Sequence, residues 1–196
     1  ILATNQNGIS TITINRPKQL NALNKLTINE LHHAITTAQS NDTVRVLILT
    51  GEGEKAFIAG ADIKEFAGFS QQEGEKLSSE GHDKLFNLVE NLSKPVISAI
   101  NGFALGGGLE LAMASHIRIA AEIAKLGLPE VGLGVIPGYG GTQRLAQITG
   151  KGKAMELIMT ANMINAQEAL KIGLVNHVVP LSELKDFSIK MASRIM

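Results

Sequence analysis

Two glutamates, Glu110 and Glu130, each close a glycine-marked segment, NGFALGGGLE at 101–110 and LGLPE at 126–130. Upstream, AFIAGADIK at 56–64 is a third segment of this kind. Carboxyls that share a partly apolar site differ in proton affinity, because desolvation and mutual repulsion raise at least one of them. One ionised and one neutral glutamate are what acid–base work on a single water requires. Glycine-rich backbone beside them offers N–H donors, and two donors meeting at a point make an oxyanion hole. These are the parts needed to hold an enolate and move protons around it.

Each part also has a plainer reading. The triplet Gly106, Gly107 and Gly108 precedes an apolar helical run, where glycine suits both close ligand approach and tight helix-on-sheet packing. Gly60, Ala61 and Asp62 taken alone form an ordinary turn with Asp62 as a helix cap. Glu130 after Pro129 fits a helix-start charge. Glu110 is flanked by Leu109, Leu111 and Ala112, which fits a surface charge poorly. Other chemistries lack their signatures. No G-x-S-x-G elbow, phosphate loop or dinucleotide fingerprint is present. His32 and His33 are adjacent, so on a helix they diverge by roughly 100° and read as solvated. His82, His116 and His177 have no partner at ligand spacing.

The elements that must position these residues are legible as alternating strands and helices. Residues 9–14 alternate apolar and hydroxyl side chains, as a half-buried strand does. Asn24 caps a predicted helix to residue 40, with Leu26, Leu31, Ala34, Ile35 and Ala38 at helical spacing. Residues 44–50, rich in β-branched residues and leucine, and residues 96–100 are mostly apolar runs of the kind buried on both faces of a sheet. A long polar helix is predicted over about 71–91, a helix over 106–114 and a strand over 117–120. Residues 127–141 read as a shaped Gly/Pro loop. Helices follow near 142–149, 151–160 and 166–172, then a strand at 174–179 and a helix at 181–195. The alternation predicts an α/β fold with a largely parallel sheet. On one straight helix, Glu110 and Glu130 would lie ~30 Å apart, so the chain must reverse between them.

Composition narrows the classes. Apolar residues make up 44% of the 196, enough for a filled core. Lys+Arg and Asp+Glu balance at 18 each, and aromatics are few, which leaves no footprint for nucleic acid. There is no Cys, which excludes thiolate catalysis, disulfides and thiolate metal sites. No apolar run approaches the ~18 residues of a membrane span. The chain lacks an initiator Met and stops at Met196 within helix-like sequence, so both ends read as trimmed, and no targeting segment is visible.

Five stretches resemble the crotonase, or enoyl-CoA hydratase/isomerase, family, and within it the short-chain hydratases. They are NRPKQLNAL at 15–23, AFIAGADIKE at 56–65, NGFALGGGLE at 101–110, the run from Pro129 through IPGYGGTQR ending at Arg144, and AQEALKIGLV at 166–175. The resemblance runs through nearly the whole chain in order. It implies an α/β spiral of β-β-α repeats forming two nearly perpendicular sheets. The chain would be one domain, with the core spiral over about 1–180 and the start of a C-terminal helical region over about 181–196. The helices that complete the trimer and cover the acyl pocket in family members would then be missing or truncated.

The resemblance also implies roles. Ala61 and Gly107 match the oxyanion-hole positions, and Glu110 and Glu130 match the catalytic pair of the hydratases. Lys18, Ala59, Ala61, Asp62, Ile63, Lys64 and Gly107 match positions along the acyl-CoA site. The implied reaction is hydration of a trans-2-enoyl-CoA to a 3-hydroxyacyl-CoA. It would use no metal and no cofactor, coenzyme A being part of the substrate. Expected partners are an acyl-CoA thioester and copies of the chain in a homotrimer or dimer of trimers, with no nucleic acid. The expected compartment is the bacterial cytoplasm or, in a eukaryote, the mitochondrial matrix. The rivals are a family isomerase using Glu130 alone as base, a thioester hydrolase, and a non-catalytic acyl-CoA-binding protein.

Overall fold

Between residues 46 and 127 the strands alternate between two sheets, where the alternation of strands and helices in the sequence predicts one largely parallel sheet. The structure is a computed structural model, and it describes residues 1–62 and 68–196. Among the described residues, the larger sheet has the order β1 (Leu2–Gln6), β2 (Ile9–Ile14), β3 (Val46–Gly51), β5 (Val96–Ile100), β7 (Ile117–Ala121) and β10 (His177–Val179). The smaller sheet has the order β4 (Ala56–Ala59), β6 (Phe103–Leu105), β8 (Lys125–Gly127) and β9 (Ile164–Asn165). Each round of chain lays one strand in the larger sheet, one in the smaller, and then a helical segment. β3 and β4 precede α2 (Gln71–Gly81) and α3 (Asn87–Glu90), and β5 and β6 precede α4 (Gly107–Ala114). β7 and β8 precede a 3-10 turn at Glu130–Leu133. The first round follows the same rule. β2 leads to Leu23, which bridges Ala61 beside β4, and then to α1 (Lys25–Ser40).

Successive rounds pair in parallel in both sheets, β2 to β3 to β5 to β7 and β4 to β6 to β8. This is the β-β-α spiral. The antiparallel pairs are β1 with β2 and β8 with β9. One apolar cluster fills the space between the sheets and helices, including Leu47, Leu49, Phe57, Ile58, Phe86 and Leu111. A second lies on the outer face of the larger sheet, where Val46, Ile48, Ile97 and Ile119 meet Leu184 and Ala192 of α8 (Leu184–Ile195). Being covered on both faces explains why β3 and β5 are mostly apolar.

Several local expectations are corrected. Asn24 does cap α1, its side chain accepting from the Thr27 N–H at 2.8 Å. Leu26, however, is exposed, and Thr27 and Ile28 take the inner face with Leu31, Ile35 and Ala38. Leu26 falls one residue out of the stripe that the helical period extends back from Leu31 and Ile35. The helix expected over 71–91 is interrupted by a π turn at His82–Phe86, and Leu85 and Phe86 within it and Val89 beyond it are buried rather than polar-faced. The last strand is only His177–Val179, because Gly173 turns at φ +77 and the Leu174 and Val175 N–H groups bond back to Ala169. The helix at 181–195 starts as a 3-10 turn, Leu181–Glu183, before α8. His32 is not simply solvated, since its Nδ1 lies 2.7 Å from the Lys84 carbonyl.

Candidate active site

The C-terminal ends of three parallel strands of the smaller sheet converge on one place. Ala59 of β4 is in register with Leu105 of β6, and Leu105 with Gly127 of β8. Two residues past the first pair come Ala61 and Gly107, and three past Gly127 comes Glu130. Ligand sites of parallel sheets form at such strand ends, where the chain turns away and leaves backbone groups unpaired.

The two N–H groups are oriented by the fold. Ala61 bridges Leu23 through its neighbours: the Leu23 N–H donates to Gly60 at 2.9 Å and the Asp62 N–H to Leu23 at 2.7 Å. In a parallel bridge this turns the N–H of Ala61 itself to the opposite side, toward β6. Gly107 opens α4, where the first N–H groups have no intrahelical acceptor. Neither N–H has an acceptor among the described residues. Gly106 makes the turn at φ +50, and a Cβ there would stand 2.9 Å from Glu130 Oε1 and 3.8 Å from Gly60 Cα. Glycine is therefore required for this approach of the strand ends to the carboxylate.

Glu110 is 1% exposed, one turn into α4. Its Oε1 accepts from the N–H groups of Tyr139 and Gly141, each at 2.8 Å. Burial pushes its pKa up to about 7 against the pull of those two donors, and the Glu130 charge pushes the same way. Glu130 starts the 3-10 turn after Pro129 and is half-buried, with its pKa raised by desolvation. Its Oε2 is buried and has no hydrogen-bond partner among the described residues. One glutamate is thus held by backbone donors, and the other keeps an oxygen available. The surface-charge reading of Glu110 fails. The helix-start reading of Glu130 holds locally without explaining its buried oxygen.

The other expected site residues make contacts of their own. Lys18 is exposed on a 3-10 turn, Pro17–Gln19, on the wall of a cleft of about 380 Å³ shared with Asn21, Glu52 and Lys55. The Ala59 N–H donates to the Leu20 carbonyl at 3.0 Å, so Ala59 ties this turn to β4. Asp62 pairs with Arg16 Nη2 at 3.0 Å, and Arg16 Nη1 also donates to the Ala22 carbonyl. Its side chain therefore pins the Ala61 segment. Ile63 and Lys64 lie outside the described residues. Sequence reasoning gave no role to Tyr139, Gly141 or Arg144, which surround Glu110. The available signal was the glycine-flanked tyrosine in GYGG at 138–141, a loop that brings backbone donors close to a partner.

The fold and this strand-end arrangement define a class: a β-β-α spiral presenting paired backbone donors to one buried and one half-buried carboxyl. The chain belongs to the enoyl-CoA hydratase/isomerase family, whose model matches residues 4–196. A short-chain-enoyl-CoA hydratase of Clostridium acetobutylicum is 50% identical over 196 residues, spanning 100% of this chain and 75% of that protein. A crotonyl-CoA hydratase of Syntrophomonas wolfei is likewise 50% identical over 100% of this chain and 75% of its own length. Among solved structures, the enoyl-CoA hydratase from Bacillus anthracis is 46% identical with a TM-score of 0.95, covering 99% of this chain and 75% of that one. Among the described residues, no helix is long and apolar enough to cross a membrane.

Proposed function

We propose that this chain hydrates trans-2-enoyl-CoA thioesters of short acyl length, crotonyl-CoA being the model substrate, to 3-hydroxyacyl-CoA. The observation that carries the reading is the unequal pair: Glu110 is fixed by two N–H donors, and Glu130 keeps a buried oxygen without a partner. The N–H groups of Ala61 and Gly107 receive the thioester carbonyl oxygen. They stabilise the negative charge that grows there as C3 is attacked, which in such sites is worth about 3–4 kcal/mol per donor removed. The two glutamates hold one water between them. Glu110 helps to take its proton as the oxygen bonds to C3, and Glu130 delivers a proton to C2 as the enolate collapses. The water's O–H is thereby divided across the double bond, the proton left on Glu110 passing to Glu130 before the next turnover, and no electrons leave the substrate. The Glu130 charge raises the proton affinity of Glu110, so acid and base belong to the pair, and the roles could equally be shared or reversed. The chemistry needs neither a metal nor a redox group, and coenzyme A is part of the substrate.

An isomerase needs only one carboxylate to carry a proton between carbons, and pure binding needs none. The presence of two carboxyls, one buried and one half-buried, supports hydration over both. The test compares a 2-enoyl and a 3-enoyl thioester on wild type and Glu110→Gln, with products identified by mass. Hydration of the 2-enoyl substrate that falls by about 10² or more in Glu110→Gln is expected. Isomerisation of the 3-enoyl substrate that survives the substitution would replace hydratase with isomerase, and release of free coenzyme A would indicate a hydrolase.

A further inference from the structure

The donors that hold Glu110 belong to a loop, and a loop holds a catalytic geometry only if something fixes it. Arg144 is 5% exposed on α5 (Gly141–Thr149). Its Nη1 donates to the carbonyl of Tyr139 at 2.7 Å. Its Nη2 donates to Glu90 Oε2 at 2.6 Å and to Asn87 Oδ1 at 3.3 Å, both on α3. The guanidinium therefore ties α3 to the peptide preceding the Gly141 donor. Its Nε is buried without a hydrogen-bond partner among the described residues, a desolvation cost that a purely stabilising contact need not carry. The space is full. A Cβ on Gly140, at φ +87, would stand 2.3 Å from Arg144 Nη1 and 3.2 Å from the His82 ring. The Tyr139 ring stacks on Phe86 at 4.4 Å, closing the other side.

We propose that Arg144, anchored by Glu90, is a positioning residue for the hydration: it fixes the Tyr139–Gly141 backbone so that its two N–H groups aim at Glu110 Oε1. Arg144 never touches substrate, and it acts through the peptide it holds. The inference rests on the proposed role of Glu110. The charged and titratable groups around this corner are Glu130, which repels Glu110, Arg144, which attracts it, and Glu90 and His82 on the far side of the loop. Loss of Arg144 removes a nearby positive charge and frees the loop donors, and both changes favour the protonated form of Glu110.

The test uses the full chain as wild type, Arg144→Met, Arg144→Lys and Glu90→Gln. Folding is checked by circular dichroism and thermal unfolding. The titration of Glu110 is followed by carbon-13 NMR on labelled glutamate, its resonance being assigned by its loss in Glu110→Gln. In folded Arg144→Met, Glu110 should titrate at higher pH than in wild type. With crotonyl-CoA, kcat should fall by about 10²-fold, the scale of a small misplacement of a catalytic group. KM should stay within about three-fold, the pattern of a lost transition-state interaction rather than lost binding. Arg144→Lys keeps the charge but not the fork, so its titration should move less while kcat stays low. Glu90→Gln should fall between wild type and Arg144→Met, and it decides the matter if Arg144→Met does not fold. An unchanged Glu110 titration in the folded variants, or activity lost only in step with folded protein, would overturn the inference. The NMR readout needs no turnover. A wild type that fails to hydrate would defeat the proposed function and with it the catalytic half of this inference, while the NMR readout would still decide whether Arg144 sets the proton affinity of Glu110.

Discussion

At Glu110, two opposed forces act on one carboxyl: burial raises its proton affinity and two backbone donors lower it, leaving it at about 7. The folded protein thus holds this proton more tightly than the unfolded chain, whose value is near 4.5. The stability this adds is fully present below 4.5 and is lost as pH rises through about 7. Glu110→Gln removes that dependence. Between pH 4.5 and 8, wild type should lose on the order of 3 kcal/mol relative to the variant, read from urea unfolding at several pH values. A constant difference across that range would contradict the raised affinity. Gly141 gives a second test at this scale, because a Cβ there would lie 2.9 Å from both Cγ and Oε1 of Glu110. Gly141→Ala should remain folded by circular dichroism yet lose hydration by about 10²-fold, since the glutamate must move away from its donors. Glu110 and Glu130 themselves were legible in the sequence, as carboxyls behind glycine-marked turns. Tyr139, Gly141 and Arg144 were not assigned roles, because what they do depends on backbone N–H direction and long-range contacts that residue type does not encode.

Elements show where one-dimensional reading ends. The helices with caps and the long buried strands were readable, since period and burial repeat over enough residues. The strands of the smaller sheet are three or four residues long at β6, β8 and β4, too short for a pattern, and β9 has two. Yet these short strands carry the site at their ends. The π turn at His82–Phe86 was likewise invisible, being a local widening of one helix that packs Leu85 and Phe86 inward. Such turns recur at functional sites, and this one lies directly behind Tyr139. Glycines separate packing from propensity. A Cβ on Gly108 would lie 2.0 Å from the Ile58 carbonyl, so Gly108→Ala should force α4 off β4 and cost at least about 1–3 kcal/mol. Gly152 in α6 (Lys151–Thr160) has nothing within 4 Å of that position, and Gly152→Ala should add about 0.5–1 kcal/mol. Thermal unfolding of the two variants reads both signs.

Over the whole molecule, one rule of winding places everything. The rounds through β4, β6 and β8 run in parallel, so the turns after these three smaller-sheet strands emerge at the same end. That stacking brings Ala61, Gly107 and Glu130 together from segments that are distant in sequence, and α4 supplies Glu110 beside them. The family relationship and the geometry meet at this point: relatives 50% identical over this chain are named short-chain-enoyl-CoA hydratase and crotonyl-CoA hydratase, and the proposed hydration uses the donors and carboxyls that meet here. The most direct measurement is incubation of crotonyl-CoA with the chain in oxygen-18 water, with mass analysis of the thioester, for wild type, Glu110→Gln and Glu130→Gln. The account predicts 3-hydroxybutyryl-CoA carrying one heavy oxygen at C3, formed at least about 10²-fold more slowly by each variant. Folded, correctly assembled wild type that incorporates no label, or variants that incorporate it at the wild-type rate, would contradict it.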